Sequence, residues 1–308
     1  MNLKKSWPHW IAVLLLFPAL LINLGLLAFI DDEGIRSLVA LEMDLSGNLI
    51  TPTLHGSYYY KKPPLYNWIL LSWYQTSGSI TEFYARIPTI FALLGYAASL
   101  FFILKPKYGT KFAFLNAMFL VTCGRILFWD SMLALIDMTF SWVTFLLFMV
   151  IYHYFEKEKF WHLFLISYLL TAVGFLLKGL PAIVFQGTTL LFYFAYRRRF
   201  LKLFSIQHIL SGLLCVGIIA SYYLVYHQYN SLENVFTTLF TESSKRTAAH
   251  FGLWKTVQHL VAFPFEMIYH FLPWTIFVIL FFKKKCFCFN IIFIVYENIR
   301  LEFMLCTY

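Results

Sequence analysis

Residues 10–30 read WIAVLLLFPALLINLGLLAFI, without a charged side chain, and are followed at once by Asp31, Asp32 and Glu33. At about 1.5 Å of rise per residue, a helix of this length crosses the roughly 30 Å of bilayer hydrocarbon. The run is long for the apolar core of a signal peptide, and no small-x-small cleavage site follows it, so it reads as an uncleaved first span. The same signature recurs along the chain. Residues 87–104, 138–155, 160–177, 180–196 and 206–226 hold no charge, 112–129 only Arg125, and 263–282 only Glu266. Lipid offers backbone groups no water partner, which leaves helices or a closed barrel. A barrel alternates polar and apolar residues, and these runs do not. The composition agrees: 60% of residues are hydrophobic and 13% charged, against about 25% charged in soluble domains. The expected fold is all-α, a polytopic transmembrane bundle of about eight spans.

The net charge of +9 follows from loops that keep such a protein oriented. Basic residues cluster at Lys4 and Lys5, at Lys105, Lys107 and Lys111, at Arg197, Arg198, Arg199 and Lys202, and at Lys283, Lys284 and Lys285. Placing all of them on the cytoplasmic side leaves 31–86, 130–137, Lys178-Gly179 and 227–262 outside. Under this topology Leu65–Ser77 (LYNWILLSWYQTS) does not cross. It is too short, and its tryptophans and tyrosines suit a helix lying against the outer bilayer surface. No nucleic-acid motif accompanies the positive charge. The cysteines, at 123, 215, 286, 288 and 306, have neither metal-ligand spacing nor the pattern of a disulfide framework.

The external face collects carboxylates and lysines that lie far apart in sequence. Glu42, Asp44 and Asp130 read as solvated loop charges. Asp32, Asp137 and Lys178 differ, because each sits at the very end of an apolar run, where ionisable groups are costly and tend to be functional. In the first loop, Asp32 and Glu33 precede a helical stretch over 34–45, where acidic residues suit the helix N-terminus. Ser46-Gly47-Asn48 ends it as a turn. Arg125 is read equally as part of an ion pair and as a substrate contact.

This loop resembles the first external loop of the polyprenyl-phosphate-dependent membrane glycosyltransferases of GT-C type, which include protein O-mannosyltransferases and lipid A aminoarabinose transferases. The resemblance rests on Asp32-Glu33, Glu42-Met43 with Ser46-Gly47-Asn48, Pro52 to Gly56, and Tyr60-Lys61-Lys62-Pro63-Pro64-Leu65, in the family's order and spacing. Arg86-Ile87-Pro88, Asp137, Lys178-Gly179-Leu180-Pro181 and Pro273-Trp274 extend it to about residues 10–282. This chain departs in having Gly34-Ile35 before Arg36, one place later than the family's usual arginine. Lys61 stands where an acidic residue is common, and Leu180 is inserted in the Lys-Gly-Pro turn. The expected organisation is one GT-C-like transmembrane domain over 1–282 with its external loop at 31–86. An atypical tail over 283–308 reads as a truncated or frame-shifted end.

The resemblance implies transfer of a sugar from a polyprenyl-phosphate-linked donor to a lipid, glycan or protein acceptor, with inversion. Asp32 would be the base and Glu33 its catalytic neighbour, while Lys62 and Lys178 would hold the donor phosphate. Asp137 would orient a lysine, contact the sugar, or share a divalent metal with Glu33. Magnesium or manganese would suit such oxygen ligands, although related enzymes differ in metal dependence. Membrane lipids are the remaining expected partner, nucleic acid is not one, and the site would face outward from a bacterial inner membrane. Lipid A modification is among the activities implied. The alternatives are a transporter or lipid flippase, against which no internal repeat is seen, and an inactive truncated relic.

Overall fold

The structure, a computed structural model, describes residues 3–245 and 252–283; the tail expected to stand apart lies, beyond Lys283, outside the described residues. Helix α1 (Leu3–Leu21) leads into an irregular stretch and then α2 (Asp32–Ser46). A two-stranded antiparallel hairpin follows, β1 (Thr53–Leu54) and β2 (Ser57–Tyr58), with Thr53 opposite Tyr58. Next come α3 (Leu65–Ser77), α4 (Glu82–Tyr108), α5 (Thr110–Val121), α6 (Gly124–Phe128), α7 (Ile136–Glu156), α8 (Phe160–Lys178) and α9 (Pro181–Tyr196). The order closes with α10 (Ile206–His227), α11 (Leu232–Ser244), α12 (Leu253–His270) and α13 (Trp274–Lys283). The bundle is all-α apart from the hairpin.

Among the described residues four helices, α4, α7, α8 and α10, are long and apolar enough to cross a membrane, and the number rises to six if two bent pairs each count as one span. Sequence reading gave eight, and the differences have physical causes. The run at 112–129 breaks between α5 and α6 with a 46° bend, and α12 meets α13 at 96°. The two breaks brace each other. The Gly124 N–H donates to the Leu272 carbonyl at 2.7 Å instead of to its own helix, and Trp274 Nε1 donates to Thr122 Oγ1 at 3.1 Å. A Cβ at position 124 would lie 2.7 Å from that same carbonyl oxygen, so only glycine allows the approach. Pro273 has no N–H to continue α12.

The first apolar run also stops short as a helix, at Leu21, although its composition stays apolar to Ile30. The unwound carbonyls still need donors. Arg86, on α4, supplies them: Nη1 donates to Leu24 O at 2.7 Å and Leu27 O at 2.9 Å, and Nη2 to Ala28 O at 3.1 Å. Its remaining N–H groups go to Glu33, with Nε at 3.1 Å and Nη2 at 2.6 Å from the two carboxylate oxygens. Both side chains are fully buried.

Helix α3 has the limits expected of an interfacial segment, and it is also packed. Tyr66, Leu70, Leu71 and Tyr74 are buried, in a core shared with α2, α7, α8 and α10. Its tyrosines reach inward, Tyr66 to Thr89 and Tyr74 to Ser37 (2.8 Å). A second core joins α1, α4, α5 and α7. The helices alternate in direction, which sorts charge. One end of the bundle holds Asp32, Asp137 and Lys178; the other holds the last turns of α4, α7 and α9, where Arg197 pairs with Glu156 and Arg199 with Glu158.

Removing one partner of a buried ion pair leaves an uncompensated charge, at a cost of about 3–5 kcal/mol. Glu33→Gln and Arg86→Gln should each lower the thermal midpoint in detergent sharply. The double variant should lose less than the two losses added. Strict additivity would show that the pair does not act as a unit.

Candidate active site

The site end of the bundle is built from three connections. Helix α2 begins at Asp32, with Asp32 and Glu33 in its first turn. Glu33 points into the protein and Asp32 outward, its side chain 53% exposed. Arg36, one turn on, is buried, with Nη2 3.7 Å from Asp32 Oδ2 and its guanidinium carbon 5.3 Å from the Tyr59 ring centre. The second connection runs from Glu33 Oε2 to the N–H of Ala134 at 2.9 Å, which ties the loop before α7 to α2. Two residues past that loop's end, Asp137 lies in the first turn of α7.

The third connection is between α7 and α8. Lys178, the last residue of α8, places Nζ 2.6 Å from Asp137 Oδ1 and 5.0 Å from the Phe140 ring centre. The lysine side chain is 11% exposed and its carboxylate partner 60%. Gly179 then turns the chain at φ +88°, a conformation L side chains rarely adopt, where a Cβ would lie 3.5 Å from Leu239 and 3.9 Å from Pro63. The Lys178 turn therefore lies beside the segment carrying Lys62. Lys62 lines a shallow cleft whose walls include Tyr59, Tyr60, Tyr222, Tyr223 and Tyr226.

The hairpin that delivers Tyr59 and Lys62 is held by Glu42. Its carboxylate accepts from Thr53 Oγ1 and the His55 N–H, both at 2.6 Å, and from the Gly56 N–H at 3.3 Å. Slight burial pushes this carboxyl up, but the three hydrogen bonds outweigh it and hold it below the ordinary carboxylate range. Burial pushes the Tyr59 hydroxyl up, against the opposing pull of Arg36.

The structure therefore brings Asp137 and Lys178 into contact, sets Lys62 beside their turn, and leaves Asp32 at the surface next to Arg36. Glu33 is placed differently. Its four acceptor positions are filled by the Ile30 N–H (2.7 Å), the Ala134 N–H and two Arg86 donors, leaving none for a substrate or metal. A divalent ion shared by Glu33 and Asp137 does not fit this arrangement. Among the described residues no three His, Cys, Asp or Glu side chains group as a metal site.

Sequence reading left Glu42, Asp44 and Asp130 as solvated charges. All three have partners: Glu42 the hairpin, Asp44 the Gln75 amide at 2.8 Å, Asp130 the Arg125 guanidinium at 3.0 Å. The Arg125–Asp130 pair is half-exposed. The Glu42-Met43 motif piece does not reveal this clamp, because the partners of Glu42 lie 11 to 14 residues away.

A carboxyl whose folded pKa is depressed stabilises above its unfolded value and loses that contribution as pH falls through the folded one. The hairpin should therefore loosen only below the usual carboxylate range. Glu42→Gln should loosen it at neutral pH. Protection of the His55 and Gly56 amides in hydrogen exchange is the readout, and unchanged protection in Glu42→Gln would refute the clamp.

No curated protein matches the chain. Two solved structures share its fold. ArnT from Cupriavidus metallidurans bound to undecaprenyl phosphate superposes with a TM-score of 0.70 at 20% identity, over 88% of this chain and 49% of that one. The same protein in the apo state gives 0.63 at 18% identity, with the same coverage. The chain thus spans about half the length of those relatives. Residues 61–227 match the model of the dolichyl-phosphate-mannose-protein mannosyltransferase family; this is more than half of the chain, and the chain belongs to that family.

Proposed function

We propose that the chain is a membrane glycosyltransferase that takes a sugar from a polyprenyl-phosphate-linked donor and passes it, with inversion, to a lipid, glycan or protein acceptor. The observation that carries this reading is the mostly buried Lys178 cation, held 2.6 Å from Asp137, at a turn beside the Lys62 segment. Two lysines beside an aromatic cleft suit a phosphate attached to an apolar chain. The solved relative of the same fold was captured with undecaprenyl phosphate.

Asp32 is the exposed carboxylate of the cluster and is assigned the base. It takes the proton of the acceptor hydroxyl as that oxygen attacks the anomeric carbon. The bond from this carbon to the phosphate oxygen breaks on the opposite face, and its electron pair leaves with the lipid phosphate. The charge gained there is offset by Lys62 and Lys178, the kind of preorganised electrostatic stabilisation that often dominates such sites. Glu33 serves by position, fixing the first turn of α2 so that Asp32 faces outward. Asp137 orients Lys178. The basic end of the bundle faces the cytoplasm and the site faces out, as in a bacterial inner membrane.

Transfer of labelled sugar from a polyprenyl-phosphate donor in membranes tests the assignment. A positioned base contributes roughly 10²–10⁴-fold. Asp32→Ala should lose activity on that scale, with the folded midpoint measured alongside because Asp32 is the carboxylate beside buried Arg36, and Lys178→Ala should lose activity through weaker donor use. Full activity of Asp32→Ala would remove Asp32 from the chemistry. No transfer by the folded unmutated chain across donors and acceptors would favour the transporter or relic reading.

A further inference from the structure

Helix α11 lays one face along the cleft that holds Lys62. Val235 and Leu239, four residues apart and buried, are two of its walls. Glu242 lies three residues further on, which continues the same stripe by one turn. Its side chain is 27% exposed, and Oε1 accepts from Lys245 Nζ at 2.6 Å. That hydrogen bond is the first reason its carboxyl is held below the ordinary range; the charges of Lys245, Lys61 and Lys62 add to it, against the upward push of partial burial. Tyr59, another wall of the cleft, also feels this group. Burial is the main cause of the upward shift of its hydroxyl, and the Glu242 charge contributes.

This carboxylate has a place but no task in the reaction outlined above. Glu33, Glu42 and Asp137 are committed to Arg86, the hairpin and Lys178. Glu242 instead stands near the cations proposed to meet a phosphate, where a negative charge weakens the binding of any anion. A cleft shaped only for tight phosphate binding would gain from a neutral residue here. What a carboxylate adds is dependence on ligand charge, because its repulsion is felt about twice as strongly by a dianion as by a monoanion. The two ends of the proposed reaction differ in that respect. The donor is a phosphodiester with one charge, and the spent carrier is a phosphomonoester with up to about two at neutral pH.

Resting on the glycosyltransferase reading, we propose that Glu242 is a specificity-determining residue: from the cleft-facing stripe of α11 it favours the monoanionic phosphodiester donor over the dianionic phosphomonoester product, and so promotes release of the spent carrier. It acts through space on the bound phosphate, and no bond is made or broken in this step.

The full chain in phosphatidylcholine nanodiscs tests this at about pH 8, above the second phosphate pKa of about 6. The probes are undecaprenyl phosphate, its singly charged methyl ester and uncharged undecaprenol. Both phosphates should bind more tightly than the alcohol. Glu242→Gln should tighten undecaprenyl phosphate more than the methyl ester, changing the ratio of their dissociation constants by roughly three- to tenfold, the scale of one further unit charge several ångström away in a partly hydrated site. Glu242→Asp, which keeps the charge, should keep the unmutated ratio. An unchanged ratio in Glu242→Gln overturns the proposal, and Glu242→Ala gives the same comparison should that variant fail to fold. An equal change in Glu242→Asp overturns it too, because packing and not charge would then be the cause. If neither phosphate binds better than undecaprenol, the glycosyltransferase reading falls, and this inference with it; phosphate binding with an unchanged ratio removes this inference alone.

Discussion

The buried pair of Glu33 and Arg86 is the constraint on which the rest of the site end depends. An irregular stretch inside an apolar bundle is tolerated only if its carbonyls find donors, and Arg86 provides them to Leu24, Leu27 and Ala28. That task puts a full charge in the interior, which Glu33 neutralises. Glu33 in turn uses its remaining lone pairs on the N–H groups of Ile30 and Ala134. One ion pair thus joins the end of α1, the start of α2, the start of α4 and the loop before α7. Such a pair is not primarily a source of stability, since desolvating both ions offsets much of the attraction. Its consequence is geometric: neighbouring Asp32 is fixed at the outward-facing edge of the first turn.

Much of the helical architecture is legible in the sequence because charge-free runs leave few other structures. The uncharged stretches at 87–104, 138–155, 160–177 and 206–226 appear inside α4, α7, α8 and α10, and Leu65–Ser77 is α3 to the residue. What composition does not encode is where an apolar helix stops. Residues 22–30 are as apolar as those before them, yet they unwind, because their donors come from Arg86, 62 residues beyond Leu24. The 96° break between α12 and α13 is hidden in the same way. Pro273 marks it locally, but the bracing by Gly124 and Thr122 comes from another part of the chain.

The site divides along the same line. Asp137 and Lys178 stand out in sequence because each ends an apolar run, and they do meet. The Asp-Glu pair is equally visible, but its two members face opposite ways: adjacent residues on a helix are about 100° apart, so one carboxylate enters the core as the other leaves it. Arg36 shows the same geometry from the other side. It lies four residues beyond Asp32, on the same face, and so returns to Asp32 instead of joining Arg86. Tyr59 had no sequence signal, and Glu42, although part of the family motif, gave no sign of its role, because both roles depend on the hairpin folding back over α2.

The unequal exposure of Asp137 and Lys178 decides how that pair can behave. The lysine is nearly buried and its partner mostly exposed. Separating them costs the lysine much of its solvation, whereas Asp137 recovers water readily. The attraction is weakened by solvent on the Asp137 side, but the mostly buried Lys178 charge still favours an anion beside it. In the proposed reaction, the donor phosphate would take that place by exchange, with Asp137 swinging to solvent. An exchange of one anion for another leaves the count of buried charges unchanged, which keeps the barrier low. On the proposed reading, the charged leaving group would be received by a cation already mostly stripped of water, and the carboxylate that held it would return when the product departs.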